Sequence, residues 1–387
     1  MKELFSKKID CCGCAACENV CPQNAISMQE DLEGFLYPII DAGKCIECGL
    51  CDKVCPEKNQ HEVDGFQEKC YAGYSKQPDE VKCSASGGLA AALAREIIEK
   101  GGDVYGVAYD SSFEKVLYVR TDDISTADRF RGSKYVQAQH GKTYSQVKQD
   151  LENDETVLFI GLPCEVNALR LFLKKQYDKL YVCSLICHGP TSQKVHRQFI
   201  EGIKPAGKNI QFFTVRHKVD ACKPYYIRAI FSDRTEKVYR FDASTYGKAF
   251  RFMKRPSCNH CGFKRGMVDS DLTIGDFHYG YSLKSEINNP MGISNAIVHT
   301  EKGEQLLKQI RDFYLAEVPL EQCLHNEAYI QAVAAKTNRQ EFGKTFSEKG
   351  LEKACSLASV RRVEKTEELR AAFLTFLVRI KRRLIRR

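Results

Sequence analysis

The stretch that decides the fold is CCGCAACENVCP, residues 11–22, together with its echo CIECGLCDKVCP, residues 45–56. Cys11, Cys14, Cys17 and Cys21 are spaced C-x2-C-x2-C-x3-C with Pro22 behind them, and Cys45, Cys48, Cys51 and Cys55 repeat the spacing with Pro56. Nine of the 19 cysteines fall within the first 55 of 387 residues, so a local structure consumes thiols there.

Two such runs match the bacterial-type ferredoxin arrangement for two [4Fe-4S] clusters, in which the fourth cysteine of each run ligates the other cluster. One cluster then uses Cys11, Cys14, Cys17 and Cys55, and the other Cys45, Cys48, Cys51 and Cys21. Tetrahedral zinc favours paired C-x2-C knuckles over two triplets each with an outlying Cys-Pro. Cys12 stands outside the pattern, as a bystander or a spare ligand.

A secreted disulfide scaffold is excluded by length, because such scaffolds are short and lack the large core this chain can build. Met1 to Asp10 is charged and has no apolar signal region, and the best apolar run, Val157 to Val166, is interrupted by Gly161 and Pro163. The expected compartment is a reducing cytoplasm, where clustered cysteines bind metal. The net charge of +8 is offset by clusters carrying roughly −2 each. No basic helix interleaved with stacking aromatics is present, so no nucleic-acid partner is expected.

The periodicity divides the chain into a ferredoxin domain at 1–62, a larger domain at 63–345 and a basic helical tail at 346–387. Glu57 to Lys69 reads as a linker. The fold class is α+β or α/β, with a small ferredoxin domain followed by a mixed α/β domain holding a partly parallel sheet. Predicted strands are Cys70 to Tyr74, Val104 to Tyr109, Thr156 to Ile160 and Leu180 to Ile186; predicted helices are Leu89 to Lys100, Glu165 to Tyr177 and Gln193 to Ile203. From Phe212 the pattern turns hairpin-like, with strands at Tyr225 to Phe231 and Lys237 to Phe241. Gly303 to Leu315 reads as an amphipathic helix carrying Leu306, Leu307, Ile310 and Phe313. In the tail, Leu369, Phe373, Phe376, Leu377, Ile380 and Leu384 share a helical face before a run of arginines. Both peripheral contact with an anionic membrane and docking on the domain satisfy that pattern.

A second set of cysteines stands in the larger domain. Cys164 and Cys187 each follow a predicted strand, and neighbouring parallel strands end side by side, while Cys258 and Cys261 form a C-x2-C that can supply two more ligands. A third [4Fe-4S] cluster and a zinc ion satisfy this set equally. Ser84-Ala85-Ser86-Gly87-Gly88 opens directly into a helix and suits a phosphate. Arg131-Gly132-Ser133-Lys134-Tyr135 adds cations and a hydroxyl, and Asp276 can accept a ribose or ring hydrogen bond. Gly141-Lys142-Thr143 lacks the first glycine of a P-loop, and no G-x-G-x-x-G, H-E-x-x-H or G-x-S-x-G occurs.

Taken in order, SASGGL at Ser84 to Leu89, RGSKYV at Arg131 to Val136, FIGLPCE at Phe159 to Glu165, LICHG at Leu185 to Gly189, and the C-x2-C and IGD between Pro256 and Asp276 resemble the family of coenzyme F420 hydrogenase/dehydrogenase beta subunits. The resemblance spans roughly residues 70 to 280, with a two-cluster ferredoxin domain fused ahead of it. It implies a flavin-binding α/β domain with FAD contacts near Ser86, Gly87, Gly88, Arg131, Ser133 and Lys134. It also implies a third [4Fe-4S] cluster at Cys164, Cys187, Cys258 and Cys261. An oxidoreductase is expected, passing electrons between ferredoxin or another redox partner protein, FAD, and coenzyme F420 or another small organic substrate. Some relatives accompany surface-polysaccharide genes. The alternative is an electron-transfer subunit whose substrate chemistry lies in a partner. His188 and His278 are the candidate proton donors, with a structural role as the competing reading.

Overall fold

The computed structural model describes residues 4–282, 285–334, 338–367 and 369. The N-terminal part pairs β1 (Ile26–Glu30) with β2 (Leu36–Ile40) antiparallel, Ile26 facing Ile40. Their turn is built by Asp31, whose Oδ1 accepts from the Glu33 and Phe35 amides at 3.0 Å, with Gly34 in the left-handed region at φ 80°. Short helices at Ala16–Val20 and Leu50–Lys53 each lie within a cysteine run.

The larger part is an eight-stranded sheet. Its strands are β3 (Lys69–Ser75), β4 (Asp103–Tyr109), β5 (Val116–Thr121), β6 (Val157–Gly161), β7 (Leu180–Leu185), and, beyond a separate hairpin sheet, β11 (Leu272–Asp276), β12 (Ser294–Val298) and β13 (Phe313–Glu317). The order is β13-β3-β12-β11-β7-β6-β4-β5. The central four, β11, β7, β6 and β4, run parallel, and the flanking pairs are antiparallel. The sequence Val-Leu-Phe-Ile-Gly of β6 is buried throughout, as a parallel strand covered on both faces requires. Between β7 and β11, β8 (Ile210–His217), β9 (Tyr226–Phe231) and β10 (Glu236–Arg240) form a three-stranded antiparallel sheet.

Mixed α/β architecture behind a small ferredoxin-type unit is therefore observed. The helix Leu89–Glu99 buries Leu89, Leu93 and Ile97 as its spacing predicts, and stops at Gly101 and Gly102. The helix Gln193–Ile203 matches its expected bounds.

Three expectations need correction. The helix expected over Gly303 to Leu315 ends at Gln309. Asp312 takes a positive φ of 53°, and Phe313 opens β13, which completes the sheet edge by pairing with β3. Glu57 to Lys69 is not a free linker. The Val63 amide donates to the Gly266 carbonyl at 2.8 Å, Phe66 stacks on His299 at 5.0 Å, and Glu68 is held by Arg265 and the Tyr329 hydroxyl. The boundary expected at 345/346 falls inside the helix Arg339–Lys349, whose Phe342 and Phe346 join the main core. That core also takes in Cys11, Cys14, Ala16, Phe35, Tyr37 and Val54, so the two parts share one interior. Of the apolar face expected in the tail, Leu369 is described and exposed, and the rest falls on residues 370–387, outside the described residues. Among the described residues no helix is long and apolar enough to cross a membrane.

Leu158 of β6 has no solvent exposure. Leu158→Ala is expected to destabilise the chain by about 2–5 kcal/mol through transfer and cavity terms, read as a lower urea midpoint in anaerobic unfolding.

Candidate functional site

Four cavities adjoin one another from the N-terminal surface to the sheet. The outermost is lined by Cys21, Cys45, Cys48 and Cys51. The second is lined by Cys11, Cys14, Cys17 and Cys55, together with Cys12. Cys21 of the first run thus lines the cavity of the second run, and Cys55 of the second run that of the first. A third cavity is lined by Cys164, Cys187, Cys258 and Cys261, and again by Cys12. The fourth is a cleft with an empty volume, mouth included, of ≈ 1330 Å³. Leu162, Glu165, Cys187, His188, Gly189 and Pro190 separate the third cavity from this cleft and line both.

Strand topology explains the convergence. Cys164 opens the helix after β6, and Cys187 follows β7, its parallel neighbour. Gly189, at φ 91°, lets the chain pass Cys258, because a β-carbon there would stand 2.9 Å from the Cys258 Cβ. The cleft lies across the carboxyl ends of the parallel strands, where open α/β sheets bind ligands.

The thiols oppose one another's ionisation. Burial raises Cys17, and Cys11 and Cys55 add to it. Cys14 is raised by its hydrogen bond with Cys12 and then by burial, and Cys55 is pushed up to about 12, chiefly by burial. Cys164 is raised by Cys12 and then by burial, and burial is the main cause at Cys187, Cys258 and Cys261, the last reaching about 11. Such groups become thiolates when a bound metal supplies the opposing charge. The residues therefore fit sulfur-ligated metal centres, although among the described residues no three His, Cys, Asp or Glu side chains converge on a single ion.

Around the cleft, Ser86, Gly88, Arg131, Ser133 and Lys134 are all lining residues. Their roles differ from the sequence reading. Gly87 is packed behind the wall: a β-carbon would meet the Gly73 carbonyl oxygen at 2.4 Å and the Ser294 amide at 2.7 Å. Its amide donates to Ser294 Oγ at 3.0 Å. The Ser86 hydroxyl donates to the Ile293 carbonyl at 2.6 Å. Lys134 aims its ammonium away from any ligand, into the carbonyls of Arg129, Phe130, Arg131 and Gly132 at 2.9–3.1 Å. It shapes the loop from inside. Asp276 does not line the cleft; it is half-buried, paired with Arg216 at 3.0 Å and accepting from the Tyr225 hydroxyl at 3.2 Å. Arg216 in turn reaches the Ala85 carbonyl, so this pair braces the Ser84 to Gly88 loop. His188 lines the cleft and is held down at about 4 by burial, then by Lys254 and His278, so its ring is neutral near pH 7. His278 is likewise lowered, by burial and then Lys223.

Sequence reasoning missed Glu165. Its Oε2 accepts from the Tyr118 hydroxyl at 2.6 Å and the Leu162 amide at 2.8 Å, and its Oε1 lies 3.2 Å from His140 Nε2. Burial works to raise it, but these partners together hold it below its ordinary value. A glutamate three residues into a helix is common enough as a cap to carry no signal alone.

Residues 154–322 match the family model for the C-terminal part of the coenzyme F420 hydrogenase/dehydrogenase beta subunit, and residues 10–59 match the 4Fe-4S dicluster domain. The chain joins a beta-subunit region of that family to a dicluster ferredoxin domain. Among curated proteins, the F subunit of the F(420)H(2) dehydrogenase of Methanosarcina mazei is 23% identical over 329 residues, 78% of this chain and 82% of that protein. A chain of the F420-reducing [NiFe] hydrogenase complex from Methanosarcina barkeri aligns with 81% of this chain and 96% of its own length, at a TM-score of 0.45 and 16% identity.

Lys134→Met leaves four carbonyls without their donor, at a cost of about 1–3 kcal/mol per stranded buried group. The expected result is faster hydrogen exchange across residues 128–136 with the sheet amides unchanged.

Proposed function

We propose that the chain is an iron–sulfur flavoprotein oxidoreductase. The observation that supports this reading is the unbroken series of cavities. The outer cysteine set meets the surface at the exposed Cys48. The inner set shares Cys12 with the third set, and the third set shares one wall with the cleft.

Cys11, Cys14, Cys17 and Cys55 would hold one [4Fe-4S] cluster, Cys45, Cys48, Cys51 and Cys21 a second, and Cys164, Cys187, Cys258 and Cys261 a third. FAD would occupy the cleft, against Ser86, Gly88, Arg131 and Ser133. When bound, flavin exchanges electrons in pairs or singly and each cluster one at a time, so together they convert between the two currencies. The protein's own residues position and insulate. Leu162, Gly189 and Pro190 close the wall, the Glu165 carboxylate is fixed by Tyr118 and His140, and the neutral His188 lines the wall on both sides.

The electron partner is a ferredoxin or another redox protein meeting the Cys48 surface. The substrate is a deazaflavin such as coenzyme F420 or another planar organic acceptor. A second reading, an electron-transfer subunit of a larger assembly, is favoured by the naming of the Methanosarcina mazei relative as one subunit of a dehydrogenase. Activity of the isolated chain with a reduced ferredoxin and a small acceptor supports the first reading; strict dependence on a partner chain supports the second.

Anaerobic purification is expected to yield about twelve iron atoms and one FAD per chain, four irons per cluster. Cys164→Ala should remove about a third of that iron and spare the electron paramagnetic resonance (EPR) signals of the dicluster domain. About eight irons with one zinc would overturn the third cluster.

A further inference from the structure

Arg255 heads the large side chains with no solvent exposure. It sits on the loop that leads into Cys258, whose amide donates to the Arg255 carbonyl at 3.0 Å. Its Nε donates to the Cys11 carbonyl at 2.7 Å, Nη1 to Gln137 Oε1 at 2.8 Å and Nη2 to the Leu36 carbonyl at 2.9 Å. Nη2 also lies 3.4 Å from Cys11 Sγ, and the guanidinium stands 4.2 Å from the Tyr37 ring centroid.

Each of these hydrogen-bond partners is a neutral carbonyl or amide, and the Cys11 sulfur carries charge only as a metal ligand. Among the described residues no carboxylate forms an ion pair with Arg255. Arginine stays protonated in proteins, and a buried cation needs an opposing charge. Tyr37 cannot supply it, since burial raises its phenol further from ionisation. Among the other groups whose charge acts on the guanidinium are Cys11, Cys12 and Cys258, and more distantly Glu57, whose carboxyl is pushed up to about 8, chiefly by burial, and so stays mostly protonated near pH 7.

We infer that Arg255 is the counter-charge of the iron–sulfur centre held by Cys11, Cys14, Cys17 and Cys55, and keeps that centre's reduction potential above that of the outer centre at Cys21, Cys45, Cys48 and Cys51. This rests on the cluster assignment under Proposed function. Reduction adds one negative charge to a centre already anionic, and a fixed cation with a donor on its ligand sulfur favours the reduced form. At the outer cavity, the nearby Lys58 is exposed and tied to Asp52, so solvent and counter-ion weaken its field. Arg255 also binds carbonyls on the ferredoxin side and an amide on the sheet side, so charge and docking are supplied by one group. It is a positioning and tuning residue, not one that touches substrate.

The test is an EPR-monitored redox titration of the full, iron-loaded chain, with iron counted per chain. In the unaltered protein, the higher-potential dicluster signal should be the one perturbed by Cys14→Ser and untouched by Cys48→Ser. Arg255→Gln should lower the reduced-to-oxidised ratio of that signal at least tenfold at the original midpoint and leave the other signal in place. Arg255→Lys, which keeps the charge, should restore most of the ratio. The inference is overturned if the outer centre proves to be the higher-potential one, or if Arg255→Gln keeps its iron with both midpoints unmoved or moved equally. The first criterion uses no Arg255 variant and holds even if that variant fails to fold. Absence of iron from the unaltered chain would instead remove the functional reading beneath it.

Discussion

Gly13 is the point on which the two parts of the molecule close. At φ 74°, a β-carbon there would lie 2.1 Å from Gln137 Nε2 and 2.6 Å from Arg255 Nη1, so the backbone of the first cysteine run comes directly against the large domain. Gln137 Nε2 donates to the Gly13 carbonyl at 2.9 Å, and the Tyr144 hydroxyl donates to the Cys14 carbonyl at 2.8 Å. Buried backbone carbonyls need such donors. Without this contact, Cys12 could not line two cavities, and the inner cysteine set would not adjoin the one at the strand ends.

Much of the secondary structure was legible, because periodicity and stop signals agree where an element is long and packed on one side. The failure at Phe313 is instructive. Leu306 and Leu307 are buried on the helix, and Phe313 is buried too, but as the first residue of an edge strand. An apolar side chain at helical spacing reports burial, whatever element provides it. Only the vacancy beside β3 decides that the chain turns at Asp312 and extends. The segment 57–69 was misread for the converse reason: polar composition suggests solvent, yet Glu68 meets Arg265 and Tyr329, partners some 200 or more residues away.

At the site, the cysteines were legible and the supporting shell was not. Thiols at fixed spacing declare a metal because few other chemistries need them. Lys134 and Asp276 carry charges that suggested ligand contact, but each is used within the protein, one gathering a loop's carbonyls and the other pairing with Arg216. Glu165, Tyr118 and His140 gave no local signal, since they gather from a helix, a strand and a loop.

The amino-acid sequence by itself determined which thiols stand together in runs, because their short-range spacing and proline stops are local features. It also determined the parallel core, since uniformly apolar strands alternating with amphipathic helices bury well in few other arrangements. Tertiary structure alone decided how the sets stand in relation to one another. Cys12 next to Cys164, Arg255 against Cys11, and Glu165 in the wall before the cleft are long-range contacts, set by packing between elements that no local pattern connects.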